Sequence, residues 1–473
     1  MTDPPYDVVI VGSGPGGYVA AIRAGQLGLR TALVEKDPFQ GGTCLHRGCI
    51  PTKALLENAS RYQDLLHAGE FGLEVGPVGV DWPRVQARKS RIVKELAGGV
   101  AGLLKKHKVE VVQGWGRLLD ARRVGVHAPG GAGASEPSGE PVRTLDTRNV
   151  ILATGSVPRP IPLAPFDGER VLSSDHVLEL TSVPESLVVV GAGAVGVEFA
   201  SVFARFGARV TLVEALPRLL PSEDHEVSAE LERSFRKQGI DVRTGTPLAG
   251  VEPVSGGVDV TLGESGSSVI AERILVAIGR APVSRGIGLE NVGAETRDGY
   301  VLVDEWCETA EPGVYAIGDL VPTPLLAHVA SMEGVMVVER IAGLEVRSVP
   351  YAETPNCTYC EPEVASVGLT QRRAEEQGLD VRVGKFPFMA SGRAKIAGHT
   401  EGFVKIVADA RYDEVLGVHI IGYKATELVA EAGALLRLEA TVGELIHTIH
   451  AHPTLSESMH EAAHAVHGAA IHY

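Results

Sequence analysis

Two stretches of the chain repeat one pattern of apolar and polar positions. Residues 7 to 35 and residues 187 to 214 each start with an apolar run and pass through a glycine-rich turn. Apolar positions at helical spacing follow, and a second apolar run closes each stretch at a glutamate. An apolar run, a helical period and another apolar run predict a strand, a helix and a parallel strand. The pattern therefore predicts two βαβ units.

The turn of each predicted unit has glycines at the spacing G-x-G-x-x-G. In such turns the first glycine makes the bend, the second lets the backbone approach a pyrophosphate, and the third lets the helix pack on the strand. The helix N-terminus offers N–H groups to the phosphates, and the closing acid can accept hydrogen bonds from ribose hydroxyls. Two dinucleotide sites are therefore predicted. Their residues are Gly12, Gly14, Gly17 and Glu35 in the first copy, and Gly191, Gly193, Gly196 and Glu214 in the second.

The acid of the second copy bears on the choice of nucleotide. A carboxylate repels a 2′-phosphate, so Glu214 favours NAD over NADP. Arg218 follows soon after Glu214 and would attract such a phosphate, which leaves NADP as the alternative.

The rest of the chain predicts further strands, one long helical stretch and a change of pattern. Amphipathic spacing predicts helix from about residue 53 to residue 106, and the Gly-, Pro- and Ser-rich residues 128 to 141 predict a hairpin tip. From about residue 350, short alternating strands mixed with helices predict a separate α+β domain. Strands that close the nucleotide-binding sheets are expected at 149–158, 273–282 and 313–320, and those of the last domain at 364–369, 380–388, 402–408 and 415–421.

Composition and charge argue against several classes of protein. The formal net charge is −15, whereas nucleic-acid binding needs clustered Lys and Arg. The apolar run at residues 187 to 199 contains glycines and Glu198, so it predicts a buried strand leading into a helix and not a membrane span. Residues 1 to 7 lack the features of a signal peptide, and five cysteines are too few for a disulfide framework. We therefore expect a cytoplasmic protein.

Cys44 and Cys49 follow the first βαβ unit in the segment GGTCLHRGCIPTK, at residues 41 to 53. On a regular helix, residues five apart are separated by about 8.6 Å. A disulfide needs Cα atoms within about 4.4 to 6.8 Å, so the segment must leave helical geometry before Cys49 if the two bond. Gly48 and Pro51 suit such a break. The pair favours redox catalysis or metal binding over a structural role, with two buried thiols as the alternative.

The segment HAHPTLSE at residues 450 to 457 is a second candidate site. His452 precedes Pro453, so a turn with a cis bond is an option that would present the imidazole. Glu457 can hold the ring in one tautomer, and a carboxylate-supported histidine is a general acid–base pair for thiol chemistry near neutral pH. For a histidine taken alone, a structural role stays the alternative.

Two further groupings carry no predicted chemistry. His460, His464 and His467 share one helical face, but no cysteine or carboxylate completes a zinc set, so we expect a solvated or interface face and no metal site. Cys357 and Cys360 form a C-x-x-C without a βαβ context, which favours a structural role.

Over nearly its whole length the sequence resembles the class I pyridine nucleotide–disulfide oxidoreductases, and most closely their dihydrolipoyl dehydrogenase branch. The resemblance implies an enzyme that oxidises protein-bound dihydrolipoyl groups through a redox-active disulfide and FAD, and reduces NAD. The motifs that carry it are GSGPGG (12–17), GGTCLHRGCIPTK (41–53), ATG (153–155), GAGAVGVE (191–198), AIGR (277–280), AIGD (316–319), LLAH (325–328), PEVASVGLT (362–370) and HAHPTLSE (450–457).

The resemblance implies an α/β fold with two Rossmann-like dinucleotide-binding domains, for FAD and NAD, and a C-terminal α+β dimerisation domain. We expect residues 1–156 to form the first part of the FAD domain with the redox-active disulfide, and residues 157–281 to form the NAD domain. Residues 282–349 would be a central domain that completes the FAD site, and residues 350–473 the dimerisation domain.

Roles for single residues are also implied by the resemblance. Cys44 would meet the dithiol, and Cys49 would face the flavin, beside an ion pair of Lys53 and Glu198. His452 and Glu457 would act on the cysteine pair of the partner subunit, which implies a homodimer. The implied FAD site consists of Gly12, Gly14, Gly17, Glu35, Lys36, Gly42, Thr43, Lys53, Thr154, Gly155, Asp319, Ala327 and His328, and the NAD site of Gly191, Gly193, Gly196, Glu198, Glu214, Gly279 and Arg280.

The implied partner is a lipoylated acyltransferase of a 2-oxo acid dehydrogenase complex or a glycine-cleavage carrier, with no nucleic acid, membrane or metal. Some positions depart from the family pattern: His46 and Arg47 replace small or neutral residues, GYKATE at 422–427 replaces an Asn-Ala-rich turn, and Cys360 replaces Thr or Ser. His46 and Arg47 could alter the potential of the cysteine pair or access to it. An NAD(P)H-dependent reductase of another disulfide and a non-catalytic flavoprotein are the alternatives, and the intact cysteine and His–Glu pairs count against the second.

Overall fold

The computed structural model describes residues 4–128, 136–137, 139–263 and 266–473. The chain is divided into two compact units, each built from several segments. The first unit consists of Met1–Ala54, Gln86–Arg159 and Arg280–Tyr351, and the second of Leu55–Val85, Pro160–Gly279 and Ala352–Tyr473.

The first unit is built on a parallel sheet of five strands, of which four are mostly apolar and buried and the edge strand Glu110–Gln113 is mostly exposed. Such near-continuous apolar strands are typical of parallel sheets that are covered on both faces. The helix Pro15–Gln26 connects the two central strands, and the helix Ala327–Ile341 packs against it. In spatial order the strands are Val314–Ala316, Val150–Leu152, Val8–Val11, Thr31–Glu35 and Glu110–Gln113.

Smaller elements complete the first unit. The unit also contains a three-stranded antiparallel sheet and two small sheets of two antiparallel strands each. The strands are Trp115–Asp120, Arg123–His127 and Arg143–Asp146 in the three-stranded sheet, and Ser156–Pro158 with Arg280–Pro282 and Thr296–Arg297 with Tyr300–Val301 in the two small sheets. The other helical segments are Gly42–Arg47, Leu289–Asn291 and Gly318–Leu320, and the helices Cys49–Leu66 and Trp82–Lys106 and the turn Tyr351–Glu353 are shared with the second unit.

The second unit contains a second parallel sheet with the same local plan. The helix Ala194–Arg205 follows its central strand, as the pattern predicts. In spatial order the strands are Asp241–Arg243, Arg209–Val213, Ser186–Val190, Arg273–Val276 and Val171–Leu172. An antiparallel sheet of Leu248–Val254, Gly257–Leu262 and Ser267–Ala271 accompanies it, with helical segments Ala68–Phe71, Ser174–Val177 and His225–Lys237.

The C-terminal part of the second unit is an antiparallel sheet packed against helices. Its core joins apolar residues of the two long strands to the helices Ala425–Arg437 and Glu457–Val466. The strand order is Asn356–Thr358, Val364–Gly368, Val415–Gly422, Gly402–Asp409 and Val381–Pro387. The remaining helical segments are Gln371–Glu376, Phe388–Ala390, Gly392–Ala397 and Val442–His447.

The fold confirms the predicted strands and corrects one helix. The three predicted closing strands and the four strands of the last domain are all present. The predicted helical stretch from 53 to 106 is wrong as one element, because residues 73 to 81 are not helical. Gly72 adopts a left-handed conformation with φ +72°, and Pro77 follows, so helix cannot continue there. The predicted hairpin tip lies largely outside the described residues, and the four-segment division stays a prediction.

Candidate functional site

The first glycine turn, Gly12 to Gly17, has little room except at its middle glycine. A Cβ atom on Gly12, whose φ is +99°, would lie 2.4 Å from the carbonyl oxygen of Ala153. A Cβ on Gly17 would lie 1.9 Å from the carbonyl oxygen of Gly12. By contrast, a Cβ on Gly14 would meet no protein atom within 4 Å. The backbone is thus tight at the first and third glycines and open at the second, where a pyrophosphate has to approach.

The second glycine turn, Gly191 to Gly196, repeats this arrangement. A Cβ on Gly191, with φ +101°, would lie 2.5 Å from the oxygen of Ala277, and one on Gly196 would lie 1.8 Å from the oxygen of Gly191. Gly193 again has open space. The two turns therefore agree at each of the three glycine positions.

The helices that follow the two turns begin without a capping side chain. Their N-caps are Gly14 and Gly193, and at neither N-terminus does an N-cap side chain accept a hydrogen bond from the backbone N–H groups. Several other helices of the chain are capped by a side chain, from Ser173, Asp224, Thr370, Ser391 or Thr441. An uncapped N-terminus beside an open glycine suits a phosphate group, which accepts hydrogen bonds from the first backbone N–H groups.

The acids that close the two units are fixed by backbone N–H groups. Glu35 accepts hydrogen bonds from the N–H groups of Ser13 and Asp37, each at 2.8 Å. Glu214 accepts from Ala192 at 2.7 Å and from Leu216 at 2.9 Å. Because each carboxylate is held at the end of its strand next to a glycine turn, each can present a remaining lone pair to a ribose hydroxyl.

The cysteine segment leaves helical geometry where the sequence predicts it. The helix Gly42–Arg47 ends at Gly48, and the helix Cys49–Leu66 starts directly after it. This break brings the two cysteine side chains within hydrogen-bonding distance as thiols. The hydrogen bond with Cys49, together with burial, raises the pKa of Cys44, although the charge of Lys53 opposes the shift. The pKa of Tyr18 is raised by burial and by the nearby Cys44.

Two of the four residues between the cysteines, His46 and Arg47, contact the loop that follows Glu35. His46 Nε2 lies 2.9 Å from the backbone oxygen of Gln40, and its ring stacks on Phe39 with centroids 6.0 Å apart. Arg47 forms an exposed ion pair with Asp37. Their described contacts are thus with the adenosine end of the first predicted site.

Asp319 lies in a small polar network of the first unit. It accepts a hydrogen bond from the hydroxyl of Ser156, and Arg280 Nε lies 3.7 Å from Asp319 Oδ2. Arg280 also donates to the Ser156 hydroxyl at 2.6 Å. The structure thus places Arg280, expected at the NAD site, beside a residue expected at the FAD site. Its role in NAD binding stays a prediction.

The other predicted FAD residues of the first unit occupy several elements. A Cβ on Gly42 would lie 2.5 Å from Gly14 Cα, so the cysteine segment packs closely on the first glycine turn. The ammonium of Lys36 lies 4.6 Å above the Trp115 ring, and the hydroxyl of Thr154 donates to the backbone oxygen of Val283. Gly155 has φ +71°. The other positions are Thr43 in the helix Gly42–Arg47, and Ala327 and His328 at the start of the helix Ala327–Ile341.

Glu198 and Gly279 belong to the second unit. Glu198 is 4% exposed and accepts a hydrogen bond from the backbone N–H of Tyr359 at 2.9 Å. Gly279 has φ +116° and open space at its Cβ position. The expected ion pair between Lys53 and Glu198 joins residues of different units and stays a prediction.

His452 and Glu457 form the expected pair. Nδ1 of His452 lies 2.8 Å from Oε1 of Glu457, and the bond between His452 and Pro453 is cis. Partial burial acts to raise the pKa of Glu457, but the N–H of Thr454 and the His452 ring lower it by more, so that this pKa lies below its usual value. The carboxylate is therefore ionised at neutral pH and can support a positive charge on His452, whose side chain is 80% exposed.

One neighbour of this pair was missed by the sequence reasoning. Nε2 of His450 lies 2.7 Å from Oε1 of Glu431 on the helix Ala425–Arg437. The sequence signal that could have found His450 is the H-x-H spacing, because only one residue separates its imidazole from that of His452. Its partner, Glu431, lies too far along the chain to be found from a local motif.

The other cysteine and histidine groupings have local partners. Cys360 is buried and lies 3.2 Å from the oxygen of Pro362, and burial raises the pKa of its thiol. His460 contacts the backbone oxygen of Ile446, and His467 contacts Asp413.

In the parts of the chain that the structure describes, no three His, Cys, Asp or Glu side chains are grouped to hold a metal ion. Among the described helices, none is both long and apolar enough to cross a membrane.

Comparisons with known proteins agree with this geometry. The family model of pyridine nucleotide-disulphide oxidoreductases matches residues 6–334, and the model of their dimerisation domain matches residues 354–463. The chain is 46% identical to a dihydrolipoyl dehydrogenase of Bacillus subtilis and 45% identical to one of Chlorobaculum tepidum, covering 99% and 97% of this chain and 99% and 96% of those proteins. The crystal structure of LpdA from Mycobacterium tuberculosis matches with a TM-score of 0.88 at 30% identity, over 96% of this chain and 98% of that one.

Proposed function

Because the chain belongs to the pyridine nucleotide–disulphide oxidoreductase family, we propose that it is an NAD-dependent dihydrolipoyl dehydrogenase. The observation that carries the proposal is the contact between Cys44 and Cys49 at the break between two helices. A dithiol substrate exchanges with such a pair, whereas a flavoprotein without this chemistry has no use for it. An NAD(P)H-dependent reductase of another disulfide is not favoured, since Glu214 disfavours a 2′-phosphate and the full-length relatives are dihydrolipoyl dehydrogenases.

The cofactors of this family member are FAD and NAD. We assign FAD to the first glycine turn and NAD to the second, because the first turn packs directly on the cysteine segment. The open middle glycines and uncapped helices fit the two pyrophosphates. Held at the first turn beside the cysteine segment, FAD would supply the two-electron redox chemistry that links the cysteine pair to NAD.

The dimerisation domain supports a homodimer. In the proposed reaction, His452 of one subunit removes a proton from a dihydrolipoyl thiol at the cysteine pair of the partner subunit. Glu457 stabilises the resulting imidazolium through the 2.8 Å contact. The exposure of the His452 side chain fits a base that must reach a substrate.

Thiol–disulfide exchange then proceeds in two displacements. The substrate thiolate attacks the sulfur of Cys44, breaks the Cys44–Cys49 bond and leaves Cys49 as a thiolate. The second substrate thiol attacks the substrate sulfur of the mixed disulfide, breaks its bond to Cys44 and closes the lipoyl disulfide. Its proton passes to the departing Cys44, which leaves as a thiol, while the first proton stays on His452. The raised pKa of Cys44 keeps this released thiol protonated beside Cys49.

The substrate is proposed to be a dihydrolipoyl group on an acyltransferase of a 2-oxo acid dehydrogenase complex or on a glycine-cleavage carrier. This proposal is supported by the names of the relatives and by the exposed His452–Glu457 pair. The cytoplasmic location expected from the sequence stays a prediction.

The test is NADH formation by the FAD-loaded protein with dihydrolipoamide, beside NADP and beside reduced glutathione. We expect turnover with dihydrolipoamide and NAD, and at least about tenfold less with either alternative. Cys44→Ser should abolish turnover, while Cys357→Ser, a matched change in the second unit, should leave it within about twofold. A wild-type protein that holds FAD but does not oxidise dihydrolipoamide would contradict the proposal.

A further inference from the structure

The segment that carries His452 contains two imidazole–carboxylate pairs in succession. His452 pairs with Glu457 at 2.8 Å, and His450 pairs with Glu431 at 2.7 Å. The side chain of His452 is 80% exposed, whereas that of His450 is only 7% exposed. The first pair can meet a reactant, and the second is enclosed within its own subunit.

Both ring nitrogens of His450 face acceptors. Nε2 lies 2.7 Å from Glu431, and Nδ1 lies 3.0 Å from the backbone oxygen of Thr448. A neutral imidazole has one N–H group and can donate to only one of these acceptors, whereas the doubly protonated ring donates to both. When it is doubly protonated, His450 links Glu431 on the helix Ala425–Arg437 to the backbone of Thr448, shortly before His452 in the chain.

The link from His450 to the His452–Glu457 pair is short. Only Ala451 separates the two histidines, and its carbonyl oxygen accepts a hydrogen bond from the Thr454 hydroxyl at 2.7 Å. The N–H of Thr454 donates to Glu457 at 2.8 Å. A displacement of His450 would therefore move the backbone that orients His452 and its carboxylate.

Charge connects the two pairs as well. The pKa of Glu457 is lowered against the effect of burial, first by Thr454 and His452 and further by the charge of His450. The titratable groups facing His450 from the neighbouring helices are Glu431 and His460, whose ring centroid is 5.5 Å from that of His450. A protonated His450 thus favours the ionised Glu457 that supports His452.

We propose that His450 and Glu431 are positioning residues, which hold the segment at 450–454 so that His452 and Glu457 meet the dithiol in productive geometry. The inference rests on the proposed function, since it assigns His452 as the base. It names two further residues of the second unit that the reaction needs, although neither touches the substrate.

The experiment compares His450→Gln and Glu431→Gln in the FAD-loaded dimer. We expect kcat for dihydrolipoamide oxidation to fall about tenfold, less than the hundredfold or more expected for loss of the base itself. The pH profile of kcat should change, and KM for NAD should stay within about twofold, because the nucleotide site is not involved. NADH-dependent reduction of ferricyanide, which needs no proton transfer from a dithiol, should stay within about twofold of the wild type.

Three further variants separate positioning from general loss of structure. Glu431→Asp keeps the charge and should recover part of the lost kcat, and the double variant His450→Gln with Glu431→Gln should be no slower than either single variant. His467→Gln breaks a pair of the same length, with Asp413, and should change neither activity. Equal rates and pH profiles in all variants, or equal loss of the ferricyanide reaction, would overturn the inference.

A second measurement does not depend on lipoyl chemistry. Dithiothreitol reduces the Cys44–Cys49 disulfide, and iodoacetamide quenching with mass spectrometry counts the alkylated cysteines over time. We expect slower reduction in His450→Gln than in His467→Gln. If wild-type protein fails with dihydrolipoamide, the proposed function is wrong, whereas unchanged dithiothreitol kinetics in His450→Gln would refute the positioning role alone.

Discussion

The two glycine turns share one fingerprint but differ in what surrounds them. Around the first, a Cβ on Gly16 would lie 3.1 Å from the oxygen of Ala330 on the helix Ala327–Ile341, and Gly42 approaches Gly14 from the cysteine segment. Around the second, Val195, which takes the position of Gly16, is exposed, and so is Ala194 before it. The first turn is enclosed by other parts of its unit, and the second is open.

This difference suits the two nucleotides. A cofactor that stays bound through many turnovers gains from an enclosed site, because its dissociation then requires parts of the protein to move. A substrate that binds and leaves in each turnover needs an open one. The common motif thus predicts what binds, and the packing around it indicates how long the ligand stays.

The largest expected effect is that of alanine at the third glycine of each turn. Gly17→Ala places a Cβ 1.9 Å from a backbone oxygen, and Gly196→Ala places one at 1.8 Å, so in each case a helix must shift away from its strand. The cost is on the order of 4 kcal/mol or more. We expect Gly17→Ala to yield no FAD-loaded protein, and Gly196→Ala to retain FAD but lose NAD reduction. FAD content per chain and NADH formation are the measurements.

The contrast between these variants decides whether the two turns serve different ligands. Loss of FAD from Gly196→Ala at unchanged secondary structure would contradict the assignment of FAD to the first turn. Full NAD turnover in that variant would contradict the assignment of NAD to the second.

Alanine at the middle glycine tests the ligand without disturbing the protein. A Cβ on Gly14 or Gly193 meets no protein atom, so the free energy of unfolding should hardly change. Gly193→Ala should raise KM for NAD about tenfold, equivalent to about 1.4 kcal/mol, and Gly14→Ala should speed FAD dissociation. The control is Gly98→Ala on an exposed helix surface, which should stabilise the protein by up to about 1 kcal/mol and change neither ligand. Unchanged KM in Gly193→Ala would mean that no pyrophosphate passes this glycine.

Much of this fold could be predicted from the sequence because its signals are local. Glycine spacing, apolar strands and the closing acids Glu35 and Glu214 all lie within about thirty residues of one another, and the structure has both units as predicted. The break at Gly48 followed from a distance argument on a regular helix. The prediction of one long helix was wrong because the helix Cys49–Leu66 ends before Gly72 and Pro77, and these two residues do not suit helix in the stretch up to residue 81.

What the sequence could not predict depends on residues far apart in the chain. His450 pairs with Glu431, and the side chains of His46 and Arg47 contact Gln40 and Asp37. Charge and spacing do not indicate in which direction a side chain points. Packing decides it, and for these residues that information came only with the structure.

Glu214 offers a smaller test of the second turn. Glu214→Gln removes the charge that repels a 2′-phosphate and leaves one carbonyl oxygen for the two N–H groups of Ala192 and Leu216. We expect the preference for NAD over NADP, measured as the ratio of kcat/KM, to fall about tenfold. The matched Glu35→Gln should lower FAD retention and leave that ratio unchanged. An unchanged ratio in Glu214→Gln would assign nucleotide choice to another residue.

The second unit should also respond more strongly to acid, because the fully buried Lys405 pairs with Asp224 and Glu226 at the start of the helix His225–Lys237. Glu226 is partly buried, which opposes ionisation, but Lys385 and Lys405 lower its pKa to about 2, against 4.5 when unfolded. A depressed pKa gives stability that is present above about pH 4.5 and is lost as pH falls towards about 2. Glu226→Gln should therefore flatten the decline of Tm between about pH 5 and pH 3. Glu232→Gln breaks an ion pair with Arg236 within the same helix, is the control and should leave the decline unchanged.

The smallest effects are expected at His46 and Arg47, beside the enclosed first turn. Arg47 and Asp37 are 46% and 34% exposed, so their ion pair contributes at most about 1 kcal/mol. His46 contacts Gln40 and Phe39, which follow the acid of the FAD site. We therefore expect Arg47→Gln and His46→Asn to leave kcat and KM for dihydrolipoamide within about twofold and to speed FAD dissociation slightly. A tenfold change in KM for dihydrolipoamide at full FAD content would instead place these side chains on the substrate path. In that case His46 and Arg47 would not contribute to the enclosure of the first turn.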